Sequence, residues 1–180
     1  MLGALPEAIV SELLLFWQEN KDQDILTTSI KLRKERNIPM EGDEALSGSY
    51  SQVALQELKQ GGDAANPKDF TWALQPKIVR IIEDMIGPAH RMRISALQAD
   101  ASIPEHIDNP EQIRIIILLE GEQEFTLQTK TESQHIEMKI GELWFVNTAW
   151  PHSVMNKGPH TRLALLIDLA EMPQELSKEY

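Results

Sequence analysis

The stretch Ile113-Arg114-Ile115-Ile116-Ile117-Leu118-Leu119 decides the fold. It is short, β-branched and apolar, which is the texture of a strand rather than of an amphipathic helix. Runs of the same kind recur around it at Met92 to Leu97, Glu124 to Thr129, Ile136 to Lys139, Leu143 to Val146, His152 to Met155 and Leu163 to Leu169. Pro, Gly and Asn punctuate them. Strands at this spacing, following helical segments, predict a sandwich or barrel with helices packed outside.

The region before Gly87 differs. Ile9, Val10, Leu13, Leu14 and Trp17 share one helix stripe, with Pro6 in the first turn, where a missing N–H costs nothing. Pro76 opens a second helix whose stripe is Ile78, Val79, Ile81, Ile82, Met85 and Ile86, and Gly87-Pro88 stops it. Together the two helices can cover one outer face of a sheet. Between them, Tyr50 to Leu58 alternates as a strand with Val53 and Leu55 inward, ended by Gly61-Gly62 and a polar loop through Pro67. Lys21 to Gly48 is charged and weakly patterned, and its run Lys31 to Arg36 reads as a solvated face. The expectation is one domain over residues 1–180, a helical and mixed part (1–88) packing on a β core (89–170).

Composition narrows the chemistry. A formal net charge of −11 and a pI near 4.9 oppose binding to phosphate backbones or anionic membranes, so neither nucleic acid nor membrane is an expected partner. With no cysteine there are no disulfides, thiolate metal sites, iron–sulfur clusters or cysteine nucleophiles. Any metal rests on His, Asp, Glu or water. The apolar segment Met1 to Asn20 has no basic start and is broken by Pro6, Glu7 and Glu12, so it reads as a helix and the protein as cytoplasmic.

Against that background His106-Ile107-Asp108, then His152, then Arg162, form an ordered set. Residues two apart on extended chain project to one side, so His106 and Asp108 can face one ion while His152 arrives from a remote strand. Two imidazoles and one carboxylate make the facial triad that holds non-haem Fe(II) and leaves coordination positions open. Arg162 starts an apolar strand, and a guanidinium facing an apolar cavity calls for an anion; 2-oxoglutarate fits, its 2-oxo acid end on the metal and its far carboxylate on the fork. Each residue also has a plainer reading: His106 and Asp108 in a turn or at the surface, His152 in a Trp150-Pro151-His152-Ser153 turn, Arg162 in an exposed ion pair. Trp144, Phe145 and Trp150 line a cavity or fill the core.

The chain resembles the cupin-type aspartyl/asparaginyl β-hydroxylase group of 2-oxoglutarate- and Fe(II)-dependent oxygenases, which includes bacterial hydroxylases of free proline. The likeness lies in Ala101-Ser102-Ile103-Pro104-Glu105-His106-Ile107-Asp108, Gly141-Glu142-Leu143-Trp144-Phe145-Val146-Asn147, His152-Ser153-Val154-Met155-Asn156 and Arg162 to Asp168, with a weaker match at Ser49 to Leu55. It implies a double-stranded β-helix (jelly-roll, cupin) core with flanking helices. It also implies iron on His106, Asp108 and His152, the remote co-substrate carboxylate on Arg162, Arg114 helping to bind the co-substrate or the substrate carboxylate, and O2 as oxidant, with 2-oxoglutarate decarboxylated to succinate. Ile116 departs from the pattern, standing where many members carry the histidine of an Arg-x-His motif.

For the substrate, Arg93 and Trp144 are the expected contacts, and Arg91, Arg93 and Arg114 together favour a carboxylate. Arg91 and Arg93 lie on the same side of one strand, facing either the cavity or solvent. A free amino acid is the first expectation, acted on by a monomer or homodimer. The alternatives are a peptidyl Asp/Asn β-hydroxylase and a metal-binding cupin without oxygenase activity, a sensor or an isomerase.

Overall fold

A computed structural model of the chain describes residues 2–23, 49–58, 60–61, 70–73, 76–108 and 113–169. Most of the charged stretch Lys21 to Gly48, with its run Lys31 to Arg36, and the polar loop of residues 62–67 lie outside them. Helix α1 (Glu7–Asn20) begins one residue later than the proline-first reading, because Pro6 holds an extended ψ of 139° and acts as the N-cap residue. Its carbonyl accepts from the amides of Ile9 and Val10. Helix α2 (Pro76–Ile86) has the bounds read from sequence.

The large sheet is antiparallel and runs β1 (Gly3–Ala4), β10 (Glu142–Val146), β7 (Ile113–Glu120), β12 (Arg162–Leu169), β5 (Ala89–Leu97), β2 (Tyr50–Ala54). The small sheet runs β6 (Ser102–His106), β11 (His152–Met155), β8 (Glu124–Gln128), β9 (Ser133–Ile136). Strands β3 (Gln56–Leu58) and β4 (Phe70–Ala73) form a separate ribbon, so the single strand expected over Tyr50 to Leu58 breaks at Leu55. From β5 onward, successive strands alternate between the two sheets, apart from β8 and β9, which pair with each other. That wrapping is the double-stranded β-helix, and the fold is mainly β with flanking helices.

Period two along β12 explains why two sheets are needed. Leu163, Leu165, Ile167 and Leu169 enter one core with Met92, Ile94, Ile115 and Ile117, covered by Ile9, Val10, Leu13, Phe16 and Trp17 of α1 and Ile78, Val79 and Ile82 of α2. Ala164 and Leu166 turn the other way into a second core with Leu97, Ile116, Leu118, Phe125, Leu127, Val146 and Val154, between the sheets. Every residue of β12 is therefore buried. Each aliphatic side chain so removed from water contributes on the order of 1.5–3 kcal/mol before the entropy of ordering is set against it. Phe145, a candidate for the cavity wall, instead packs against the helix-side core. No helix among the described residues is long and apolar enough to cross a membrane.

Candidate metal centre and its arginines

His106 ends β6 and His152 starts β11, and the two are paired directly across the ladder. Directly opposed residues send their side chains to the same face. A register shift between His152 and Val154 makes this pairing, since β6 carries one extra residue around Pro104, which has no amide to offer the ladder. The rings lie 4.2 Å apart, and Phe125 stacks on His152 at 5.7 Å and 10°.

Asp108 lies beyond the strand, and its amide donates to the Thr148 carbonyl at 2.9 Å, fastening the loop after β6 to the loop before β11. This brings its Oδ1 to 3.9 Å from His106 Nε2 and its Oδ2 to 3.7 Å from His152 Nε2. Ile107, between the ligands, points to solvent.

The donor set fits a divalent ion. One ligand atom from each of His106, Asp108 and His152 lies within 4.8 Å of the others. The Nδ1 atoms sit 2.8 Å from the Pro104 carbonyl and 3.0 Å from the Trp150 carbonyl. A carbonyl only accepts, so each Nδ1 carries the hydrogen and each Nε2 presents a lone pair to the centre, the arrangement that orients ligating imidazoles. Burial outweighs the Trp150 hydrogen bond and lowers the His152 pKa, which favours the neutral, ligating ring.

Arg162 is 1% exposed on the inner face of β12. Its Nη1 donates to Ser95 Oγ at 3.0 Å and its Nε to Gln123 Oε1 at 2.7 Å, with Nη2 on the same amide oxygen. Burial pushes its pKa down to about 10. No carboxylate of the described residues lies within ion-pair distance of it. The plainer expectation of an exposed ion pair is therefore wrong. Gly121 allows this geometry: at φ +84°, a side chain there would put its Cβ 3.0 Å from the Arg162 Cα. The close crossing seats Gln123 on the guanidinium.

The remaining arginines gather at the other end of the same face. Asp168 pairs in register with Arg91 on β5 and with Arg114 on β7. Its carboxylate meets Arg91 Nε at 2.9 Å, Arg93 Nη1 at 3.1 Å and Arg114 Nε at 2.8 Å. Arg114 Nη1 reaches on to Asp108 Oδ2. Burial by itself would raise the Asp168 pKa, but Arg93, Arg114 and Arg91 outweigh it and hold the carboxyl far below its usual range. Burial and the neighbouring Arg93 push Arg91 down to about 9, and burial lowers Arg93 as well. For Arg114, Asp168 and Asp108 overcome burial and raise it. Arg91 and Arg93 thus face the interior rather than solvent.

The structure brings together His106, Asp108 and His152, and links Arg114 to Asp108 instead of placing it beside Arg162. Trp144 packs at the edge of the inter-sheet core, its indole donating to Glu142 at 3.0 Å. Sequence reasoning missed Ser95, Gln123 and the role of Asp168. Only Asp168 left a signal, as a lone acid in an apolar run.

Residues 19–172 match the family described as Aspartyl/Asparaginyl beta-hydroxylase, and the chain belongs to that family. Among solved structures it is similar to a 2OG-Fe(II) oxygenase family oxidoreductase from Burkholderia pseudomallei, at 15% identity over 69% of this chain and 71% of that one, with a TM-score of 0.48. It is also similar to CENP-C of Drosophila melanogaster, crystallised bound to CAL1 (10% identity, 43% and 60% of the two chains, TM-score 0.39). Oxalate decarboxylase from Bacillus subtilis is a further likeness (17%, 46% and 22%, TM-score 0.41). The chain spans less than two thirds of these last two proteins. A search of curated protein sequences returned no match.

Proposed function

We propose that this chain is a non-haem Fe(II)- and 2-oxoglutarate-dependent dioxygenase that hydroxylates an unactivated C–H bond of a free amino acid or related small carboxylate. One observation carries the reading: the double sheet holds both a His106, Asp108, His152 donor set within 4.8 Å and a buried Arg162 guanidinium whose partners, among the described residues, are the neutral Ser95 and Gln123. A metal-binding cupin of another kind has no use for that guanidinium.

When bound, Fe(II) and 2-oxoglutarate supply the activation of O2, with succinate and carbon dioxide as co-products. The protein's own work is placement. Nε2 of His106 and of His152 and one oxygen of Asp108 would hold the ion. Arg114 engages Asp108 Oδ2 and restricts how that carboxylate turns. Arg162, steadied by Ser95 and Gln123, is pre-organised to receive the distal carboxylate of the co-substrate. Ile116, Leu166, Val146 and Phe125 keep water from the inner wall. Arg93 and Trp144 face the substrate, and an acidic, cysteine-free chain suits work in the cytoplasm.

The test is anaerobic addition of Fe(II) and 2-oxoglutarate. A weak visible charge-transfer band is expected with the intact protein and not with His106→Ala. Absence of the band from the intact protein would refute the reading.

A further inference from the structure

We propose that Gln123 decides which 2-oxo acid this chain takes: it holds Arg162 with a neutral oxygen and so leaves the guanidinium's charge for a co-substrate with a carboxylate tail. This rests on the oxygenase reading above and names the residue on which the choice of co-substrate turns.

A guanidinium only donates, so whatever fixes it must accept. In the turn between β7 and β8, Gln123 Oε1 accepts from Arg162 Nε at 2.7 Å and from Nη2, while Ser95 Oγ accepts from Nη1 at 3.0 Å. Those bonds engage three of the five hydrogens of the group. One on each Nη remains for a further acceptor, among the described residues. The edge made by Nε and Nη2 is also one that a carboxylate grips in a bidentate pair. A glutamate standing there would hold the arginine equally well but cancel its charge. Gln123 supplies the oxygen without the charge.

The far end of the same amide explains why its oxygen faces the arginine. Gln123 Nε2 lies 2.9 Å from Sδ of the buried Met138. A thioether accepts, weakly, and has no hydrogen to give. Gln123 therefore bridges a group that only donates and one that only accepts. A primary amide meets both demands, whereas an ionised carboxylate offers the sulfur nothing.

The local sequence sharpens the point. The turn reads Glu120-Gly121-Glu122-Gln123-Glu124, and of these side chains the neutral one is delivered to Arg162. Glu120 and Glu122 are exposed, and Glu124 pairs with Lys157 at 2.9 Å. The close crossing of Gly121 over the Arg162 backbone fixes which residue of the turn arrives. An acid at position 123 would make the pair internal and leave a tail carboxylate without its counter-charge.

The probes are 2-oxoglutarate and 2-oxopentanoate, which has the same carbon chain and 2-oxo acid end but no tail carboxylate. Each is titrated calorimetrically into the anaerobic Fe(II) protein. The intact protein is expected to bind 2-oxoglutarate about tenfold or more tighter than 2-oxopentanoate. In the isosteric Gln123→Glu that preference is expected to fall to about threefold or less, through weaker 2-oxoglutarate binding, with 2-oxopentanoate little changed. Gln123→Met is neutral but lacks the oxygen, and is expected to weaken 2-oxoglutarate less than Glu does and to keep the preference. Should the Glu variant fail to fold, Gln123→Asp carries the charge on the same turn and is read the same way. The inference is overturned by a folded acidic variant that keeps the full preference, by equal losses for both acids, or by a Met variant that loses as much preference as the acidic one. An intact protein that shows the charge-transfer band without preferring 2-oxoglutarate also overturns it. In each of these cases a band from the intact protein leaves the oxygenase reading standing, and an intact protein with no band removes both.

Discussion

Replacing Asp168 by Asn tests the electrostatic logic of the barrel most directly. The substitution keeps size and shape but removes the carboxylate charge that Arg91, Arg93 and Arg114 share. Deleting one partner of a buried charge cluster costs about 3–5 kcal/mol, because the guanidiniums stay buried without the carboxylate that joins them. For a chain of this length each kcal/mol moves Tm by roughly 2–4 °C, so a drop of about 6–20 °C is expected. The sign with pH follows from the direction of the shift. The folded-state pKa of Asp168 lies below its unfolded value of about 3.9. Its stabilisation is therefore complete above that unfolded value and is lost as pH falls through the folded one. Urea unfolding of both proteins from pH 7 downward is expected to show a constant gap above about pH 5 that narrows below pH 4. In an Arg91→Met background the same Asn substitution is expected to cost less, since one of the stranded charges has gone. A difference under about 1 kcal/mol at neutral pH, or a gap that widens on acidification, would refute the reasoning.

Arg162→Ala is expected to raise the 2-oxoglutarate requirement by about 2–4 kcal/mol, roughly 30- to 700-fold, with the Fe(II) requirement little changed, as followed by succinate release. Equal effects on both would make the arginine structural. Gly121→Ala places a Cβ against the Arg162 backbone at a positive φ, so a loss of about 1–2 kcal/mol in thermal unfolding is expected together with weaker 2-oxoglutarate binding. Unchanged binding would show that the β7–β8 crossing does not position Gln123.

The central strands were legible because burial on both faces writes itself as continuous apolar sequence, as in Ile115 to Leu119 and Leu163 to Leu169. Strand β6 was not. Its residues Ser102-Ile103-Pro104-Glu105-His106 are mostly exposed and hold only Ile103 as an apolar point, so the ladder with β11 rather than any local pattern makes it a strand. The expected strand at Ile136 to Lys139 lies at Ser133–Ile136 instead, since polar Ser133, Gln134 and His135 on an exposed edge carry no hydrophobic period.

The site divides in the same way. His106, Asp108, His152 and Arg162 could be picked out because charge and spacing mark them. Ser95 and Gln123 are neutral, and only the meeting of β5, the β7–β8 loop and β12 makes them partners of Arg162. Arg114 was legible as a site residue but not its allegiance, which depends on the pairing that sets it beside Asp168 and on the reach of Asp108 from a remote loop.

The two sheets contribute different things to the cavity. The imidazoles stand on the small sheet and every guanidinium described here on the large one. On the oxygenase reading, a metal and co-substrate that bridge them would act as a clasp between layers. By mass action, occupancy of the cavity is also cohesion of the sandwich, each filled site adding RT ln(1 + [L]/Kd) to its resistance to unfolding. On the oxygenase reading, pulling the layers apart and emptying the site would be one and the same event.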